Sequence, residues 1–163
     1  MKINNGMVLF WDGPFSQWHS SSFIEGKVSY SCCEQYMMAK KAIIFGDDVA
    51  HELIMETDSP YLMKQLGRNV KNFNKETWEK VCFEIVEYAN YLKFTQNEEL
   101  KKVLLDTKDA IIAEASPYDK IWGIALAEDD PKALDQSQWQ GQNLLGKALM
   151  SVREKIRIEE GNV

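Results

Sequence analysis

The sequence predicts an α+β domain that is mostly helical and carries a small β-sheet. Residues 1–30 combine short apolar runs with turns that contain glycine and proline, a pattern typical of strands. From Cys32 onward, apolar residues recur at three- and four-residue steps, which places them on one face of a helix. The short apolar run 110–115, which Ser116-Pro117 ends, predicts one more strand near residue 111.

The predicted sheet draws on both strand-like regions. The run 7–11 is interpreted as a strand that the turn sequence Asp12-Gly13-Pro14 ends. Segments 23–24 and 28–30 flank a turn with a glycine and predict a β-hairpin. We expect these N-terminal strands and the strand near residue 111 to form the small sheet.

Each predicted helix begins or ends at a recognisable signal. Asp47 and Ser59 are typical N-caps, and Gly46 and Gly67 are typical residues at helix ends. Residues 128–140 are acidic and polar and predict a loop. The helices are expected at about 32–45, 48–55, 59–67, 75–94, 97–105 and 142–157.

Composition favours one globular domain over the range 1–163. Of the 163 residues, 45% are hydrophobic and 27% are charged, which is enough to bury a core without disulfides. Three cysteines, two of them adjacent, form neither a disulfide framework nor a metal-binding spacing. The amino terminus lacks the apolar core of a signal peptide, and no apolar run approaches the ~18 residues that span a bilayer. We therefore expect a cytoplasmic protein with reduced cysteines and no membrane partner.

The net charge and the absence of common catalytic motifs exclude several classes of function. A formal net charge of −6 argues against a broad surface for the nucleic-acid backbone, although it is compatible with a local group of cations. His19 and His51 have no neighbours at metal-ligand spacing, and the chain has no glycine-rich phosphate loop. We therefore expect no metal and no cofactor, and acid–base chemistry is left to carboxylates.

Glu34 is the carboxylate with the most informative position. It falls in the first turn of the helix that begins near Cys32, where unpaired backbone N–H groups favour an anion. One interpretation is structural, because Ser31-x-x-Glu34 has the form of a capping box in which the glutamate accepts a hydrogen bond from the serine N–H. The other interpretation is catalytic, and residues elsewhere in the chain have to decide between them.

Other polar and aromatic residues in turns also have two interpretations. Asp119 after Ser-Pro can accept a backbone hydrogen bond in a turn, and Asn143 can mark the start of the last helix. Gly67-Arg68 can be a helix end with a solvated arginine, and Phe15 and Trp122 can be core aromatics. Taken singly, each residue fits its structural interpretation best.

Together, these segments follow the order of motifs in a known family. The chain resembles the YbiA/NADAR family over residues 9–157, and the likeness rests on six blocks in order. They are GPFSQW, CEQYMMAKKA, QLGR-x-V, KF-x-QN-x-x-L, E-x-SP-x-D-x-x-WG and W-x-G-x-N-x-LG, and the family tryptophan at Trp78 lies between the third and the fourth. Gln17 and Gln35 stand where the family more often has asparagine and histidine.

The resemblance implies an N-glycosidase. One branch of the family is known to hydrolyse phosphorylated ribosylamino-pyrimidine intermediates of riboflavin synthesis, and another removes ADP-ribose from guanine in nucleosides or DNA. Such bonds break through an oxocarbenium-like state that a nearby carboxylate stabilises. By motif, Glu34 is the principal catalytic carboxylate and Asp119 is the second. The substrate-binding residues implied in the same way are Phe15, Ser16, Lys41, Arg68, Trp78, Trp122 and Asn143.

Three functions stay open at this point. Hydrolysis of the riboflavin intermediate ranks before release of ADP-ribose from guanine, because the negative net charge favours a small metabolite over long DNA. The third function is a non-catalytic module that binds ADP-ribose or a related nucleotide, and it would not need a carboxylate at Glu34. The expected partner is a small nucleotide-like substrate, with ADP-ribosylated nucleic acid as the alternative, and no obligate protein partner is evident.

Overall fold

The computed structural model describes residues 3–161, and these residues form an α+β fold in which helices predominate. The predicted fold class is confirmed. Within the described range, no helix has the length and apolar character that crossing a membrane requires. The strands are β1 Ile3–Asn4, β2 Met7–Phe10, β3 Phe23–Glu25, β4 Val28–Tyr30 and β5 Ile111–Glu114, and the helices are α1 Cys33–Ile44, α2 Asp48–Glu56, α3 Pro60–Arg68, α4 Lys75–Gln96, α5 Glu98–Leu105 and α6 Leu144–Glu159.

The chain divides into two compact units. The first unit joins Met1–Ser16 with Glu98–Val163, and the second unit is the continuous segment Gln17–Asn97. The second unit is therefore inserted between the two parts of the first along the chain. The expectation of one domain over 1–163 stays a prediction.

The first unit is built around a three-stranded sheet in the order β1-β2-β5. Strand β2 pairs antiparallel with β1 and parallel with β5, and the parallel register places Met7 opposite Ile111 and Phe10 opposite Glu114. The strand predicted near residue 111 is thus confirmed as a partner of an N-terminal strand. Helix α6 packs on β5, and its apolar face buries Leu145, Ala148, Leu149, Val152 and Ile156, while Leu144 at the start of the helix is half-buried.

The predicted loop 128–140 contains two short 3₁₀ turns, Pro131–Leu134 and Gln136–Gln138. Aspartates cap both turns, since Asp130 accepts a hydrogen bond from the Lys132 N–H and Asp135 accepts one from the Ser137 N–H. A short polar side chain can bond to the backbone N–H two residues further along the chain. Such bonds stabilise these turns although the sequence has no helical periodicity.

In the second unit, α1 packs against α2, α3 and α4. The predicted hairpin β3–β4 is present, but it forms a two-stranded sheet of its own. Tyr30 of this hairpin stacks with Phe23 at 5.7 Å between ring centroids and meets Tyr36 of α1 edge-on at 4.9 Å. This aromatic cluster, together with the Gln96 side chain that bonds to both Ile24 backbone groups, ties the hairpin to the helices.

Two glycines bring helices into close contact with their neighbours. The prediction that Gly67 ends a helix is wrong, because α3 continues to Arg68 and Gly67 is buried within it. A Cβ at Gly67 would lie 1.9 Å from Met38 Sδ, so the missing side chain lets α3 approach α1. Gly146 in the first turn of α6 serves the same purpose, since a Cβ there would lie 2.0 Å from the Ile112 carbonyl oxygen.

We expect Gly146→Ala to lower the free energy of unfolding by roughly 2 kcal/mol. The added methyl group would collide with the backbone of β5, and such overpacking costs more than the ~1 kcal/mol that alanine gains in a helix. Urea denaturation measures this difference. Gly67→Ala is the matched control with a smaller expected loss, because only the flexible end of Met38 has to move. Equal losses in the two variants would contradict the close-packing explanation.

Candidate functional site

Glu34 lies in the first turn of α1 and is 7% exposed, but it does not form the predicted capping box. The N-cap residue is Cys32, so the helix begins one residue later than a Ser31 cap requires. The side chain that reaches back is Gln35, whose Oε1 accepts hydrogen bonds from the Ser31 N–H at 2.8 Å and the Ser31 hydroxyl at 3.2 Å. The capping interpretation of Glu34 is therefore wrong.

Gln35 is bonded within the second unit at both ends of its amide. Its Nε2 donates to the carbonyl oxygens of Ile54 and Thr57 at 3.0 and 3.2 Å, so the residue joins the start of α1 to the end of α2. Only 3% of it is exposed. The glutamine at this position therefore has a structural role, which leaves its neighbour Glu34 free of that task.

A buried polar network surrounds the backbone of Glu34. Its N–H donates to the Gln17 carbonyl oxygen at 3.0 Å. The Gln17 side-chain oxygen accepts a hydrogen bond from Asn90 Nδ2 at 2.9 Å, and Asn90 Oδ1 accepts one from Cys33 Sγ at 3.6 Å. Through Asn90, helix α4 thus holds both chain segments that fix the position of Glu34.

Lys41 faces two aromatic rings of the same unit. Its Nζ lies 4.5 Å from the ring centroid of Phe73 and 5.6 Å from that of Trp78. Burial lowers the pKa of Lys41, while the negative charge of Glu34 raises it and the positive charge of Arg68 lowers it. Because Glu34 and Lys41 are about two helical turns apart on α1, they lie on the same side of the helix. The structure thus places Glu34 and Arg68 within electrostatic range of Lys41 and the Trp78 ring within cation–π distance of it.

Lys93 is a buried cation that the sequence analysis did not identify. It lies on α4 and has no exposed surface. Burial lowers its pKa, and the nearby thiols of Cys33 and Cys32 raise it. A signal for it exists in the sequence, because Lys93 falls four residues after Ala89 on the apolar face of α4.

The cysteines beside Glu34 are not suited to nucleophilic catalysis. Cys33 is fully buried, and burial raises its pKa to about 12. Burial also raises the pKa of Cys32. Since the thiolate is the nucleophile, both side chains are protonated and unreactive near neutral pH.

Asp119 and Trp122 are brought together by a turn in the first unit. Asp119 Oδ1 accepts hydrogen bonds from the N–H groups of Ile121 at 2.9 Å and Trp122 at 2.8 Å. The Asp119 N–H in turn donates to Ser116 Oγ at 3.2 Å. These hydrogen bonds are the ones that the structural interpretation of Asp119 expects. The residue is half-buried, and its Oδ1 is the oxygen that bonds to the turn.

Asn143 has a structural role in the first unit. It is 2% exposed and adopts the left-handed conformation at φ 54° before α6. Its Nδ2 donates to the Ile112 carbonyl oxygen at 3.0 Å, and its Oδ1 accepts from the Glu114 N–H at 3.1 Å. Because both ends of the amide bond to β5, these contacts favour positioning of α6 over contact with a ligand.

Phe15 and Ser16 lie at the end of the N-terminal segment of the first unit. Phe15 is 1% exposed and meets Phe10 edge-on at 5.6 Å, which fits a core aromatic. The Ser16 N–H donates to the Gly13 carbonyl oxygen at 2.9 Å and closes the turn. The ligand contacts predicted for Phe15, Ser16, Trp122 and Asn143 stay predictions.

Comparison with known proteins identifies relatives along most of the chain. A family model described as the NADAR domain matches residues 9–157. N-glycosidase R617 of Acanthamoeba polyphaga mimivirus is 47% identical over 146 residues, which cover 86% of this chain and 86% of that protein. N-glycosidase YbiA of Escherichia coli (strain K12) is 31% identical over 137 residues, which cover 84% of this chain and 76% of that protein.

The fold agrees with these sequence matches. The NMR structure of the E. coli protein YbiA superimposes with a TM-score of 0.79 at 26% identity, over 96% of this chain and 88% of that one. The matched range of the family model, 9–157, contains all six sequence blocks and equals the range of the family resemblance. The resemblance found in the sequence is confirmed, and the chain belongs to the NADAR family.

Proposed function

We propose that this N-glycosidase of the NADAR family hydrolyses phosphorylated ribosylamino-pyrimidine intermediates of riboflavin synthesis, with Glu34 as the principal catalytic carboxylate. The observation that carries the proposal is the place of Glu34, which is buried in the first turn of α1 while Gln35 accepts the Ser31 N–H that the capping box would have assigned to Glu34. The names of the relatives R617 and YbiA as N-glycosidases support the reaction class.

The position of Glu34 suits the charge that develops in this reaction. As the bond between the sugar and the base breaks, positive charge builds up at the anomeric carbon, and a fixed carboxylate stabilises it. The same carboxylate can take a proton from the attacking water, whose oxygen then bonds to the anomeric carbon while the base leaves with the electrons of the broken bond. The positive end of the helix dipole lies at this first turn, where it attracts a negatively charged side chain.

Lys41, Arg68 and Trp78 are proposed to bind the rest of the substrate. The two cations lie within electrostatic range of one another, which suits a phosphate group. The Trp78 ring, 9% exposed beside Lys41, is proposed as a wall for the base or the ribose. A carboxylate, two cations and an aromatic ring in one unit match a substrate that combines a sugar, a phosphate and a base.

Release of ADP-ribose from guanine is the alternative reaction at the same residues. It needs the same carboxylate beside an anomeric carbon, and its diphosphate would use the same cations. A first assay therefore offers the ribosylamino-pyrimidine phosphate and ADP-ribosylated guanine, the latter as a nucleoside and in DNA. Binding of these compounds without turnover of any of them would instead identify a non-catalytic module.

We expect Glu34→Gln to lower the turnover number by at least about 100-fold while the melting temperature stays within a few degrees. Glutamine has the same size, but it lacks the negative charge and the basic oxygen that the reaction requires. Release of the free base measures turnover. Glu84→Gln, at an exposed position of α4, is the matched control and should keep wild-type turnover. Wild-type turnover in Glu34→Gln would refute the assignment.

We expect Lys41→Met to raise KM for the phosphorylated substrate about tenfold or more, because a charge-assisted hydrogen bond is lost. Affinity of the unmodified enzyme should also fall as pH rises toward the ordinary lysine value of 10.5, since burial lowers the pKa of Lys41 and the cation is lost early. Lys80→Met, at an exposed position, should change neither quantity. A KM profile without an alkaline limb would argue against Lys41.

Asp119→Asn separates the two interpretations of Asp119. Asparagine keeps an oxygen that can accept the Ile121 and Trp122 N–H groups, so the turn should hold and the melting temperature should change little. If Asp119 is the second carboxylate, as the family resemblance implies, turnover should fall at least tenfold because the charge is gone. Unchanged turnover would leave Asp119 with its turn role alone.

A further inference from the structure

Gln17 carries a buried hydrogen-bond donor that the protein leaves unused. The residue is 9% exposed, and its Nε2 has no hydrogen-bond partner among residues 3–161. Such groups are rare in folded proteins because a buried unsatisfied donor costs about 1–3 kcal/mol. An unused donor on the residue that accepts the Glu34 N–H therefore calls for a functional explanation.

The orientation of the Gln17 amide follows from its neighbours. Asn90 Nδ2 donates to the Val86 carbonyl oxygen at 2.9 Å, which fixes which end of the Asn90 amide is the donor. The same nitrogen donates to Gln17 Oε1, and Asn90 Oδ1 accepts from Cys33 Sγ. If the Gln17 amide were flipped, its NH₂ group would face the NH₂ group of Asn90, and neither could accept a hydrogen bond. The atom without a partner is therefore Nε2.

This donor lies at the N-terminus of α1. The carbonyl oxygen of Gln17 accepts the Glu34 N–H at 3.0 Å, while its side chain reaches Asn90, the partner of Cys33. Gln17 Nε2 is bonded to the same carbon atom as Oε1, so it belongs to a residue that contacts α1 through its backbone and α4 through its side chain. Hydrogen bonds at catalytic sites often form only when the ligand is bound.

We propose that Gln17 Nε2 binds a ribose hydroxyl oxygen and thereby positions the sugar against Glu34, an inference that rests on the proposed function. Nε2 is closed to solvent in the unliganded chain, so its partner has to be a small group that enters as the site fills. A phosphate is too large and too strongly hydrated for a donor that is closed to solvent. A hydroxyl is small, uncharged and able to accept from Nε2 while donating to a carboxylate.

Binding of sugar phosphates tests this role without any turnover. Ribose 5-phosphate and inorganic phosphate are titrated by calorimetry into the wild type and into Gln17→Met, which keeps the length of the side chain and removes the amide. We expect Gln17→Met to bind ribose 5-phosphate at least about fivefold more weakly and to bind inorganic phosphate unchanged, because only the sugar meets Nε2. Gln96→Met is the control, since both ends of that amide bond to Ile24.

The outcomes decide the inference separately from the proposed reaction. Equal affinity of the wild type and Gln17→Met for ribose 5-phosphate would overturn it, as would a wild type that binds ribose 5-phosphate no more tightly than phosphate. An equal loss of affinity for both probes would overturn it too, because the effect would then not involve a hydroxyl. Failure of the proposed reaction appears instead as wild-type turnover in Glu34→Gln, which these titrations do not measure.

Discussion

The hydrogen bond from the Glu34 N–H to the Gln17 carbonyl oxygen is the contact on which the proposed chemistry depends. It fixes where α1 begins, and that start determines which side chain faces back toward the preceding segment. With Cys32 as the N-cap, the side chain that accepts the Ser31 N–H is Gln35. The Gln17 carbonyl oxygen and the Gln35 side chain thus bind N–H groups at the start of this helix, and the Ser31 capping box does not involve the Glu34 carboxylate.

The second unit concentrates polar groups where a small unit would ordinarily place apolar ones. Asn90 and Lys93 have no exposed surface, and Glu34 and Gln35 are nearly as buried. Each such group is costly to remove from water unless it is hydrogen-bonded or paired, which the Asn90 network achieves for most of its members. The cost is consistent with a region selected for binding and reactivity, because stability alone would favour apolar side chains there.

Much of the fold follows from local signals in the sequence. Apolar periodicity and the caps Asp47 and Ser59 predicted helices that the structure contains, and the strand near residue 111 was found from its flanking turn. The errors arise where a distant contact decides the outcome. Gly67 resembles a helix end, but its role is to admit Met38 from another helix. The local sequence around Gly67 does not predict this contact, because α1 and α3 are far apart along the chain.

In the candidate site, too, local sequence predicts some features, while packing between distant segments determines others. A one-residue shift of the helix start exchanged the roles of Glu34 and Gln35, which a capping pattern cannot resolve. Family motifs supplied Lys41 and Trp78, whose proximity depends on how α1 and α4 pack. Lys93 was missed because a charged residue on an apolar face is usually assigned to solvent.

The pairing of β2 with β5 has a consequence for how the chain acquires its structure. Met7 lies opposite Ile111, so a separation on the order of 100 residues has to be closed before this parallel ladder can form. During synthesis, the continuous segment Gln17–Asn97 is complete before β5 is available to pair with β2. Strand β2 therefore pairs with β5 late, and the edge that β5 covers has to stay unaggregated until then.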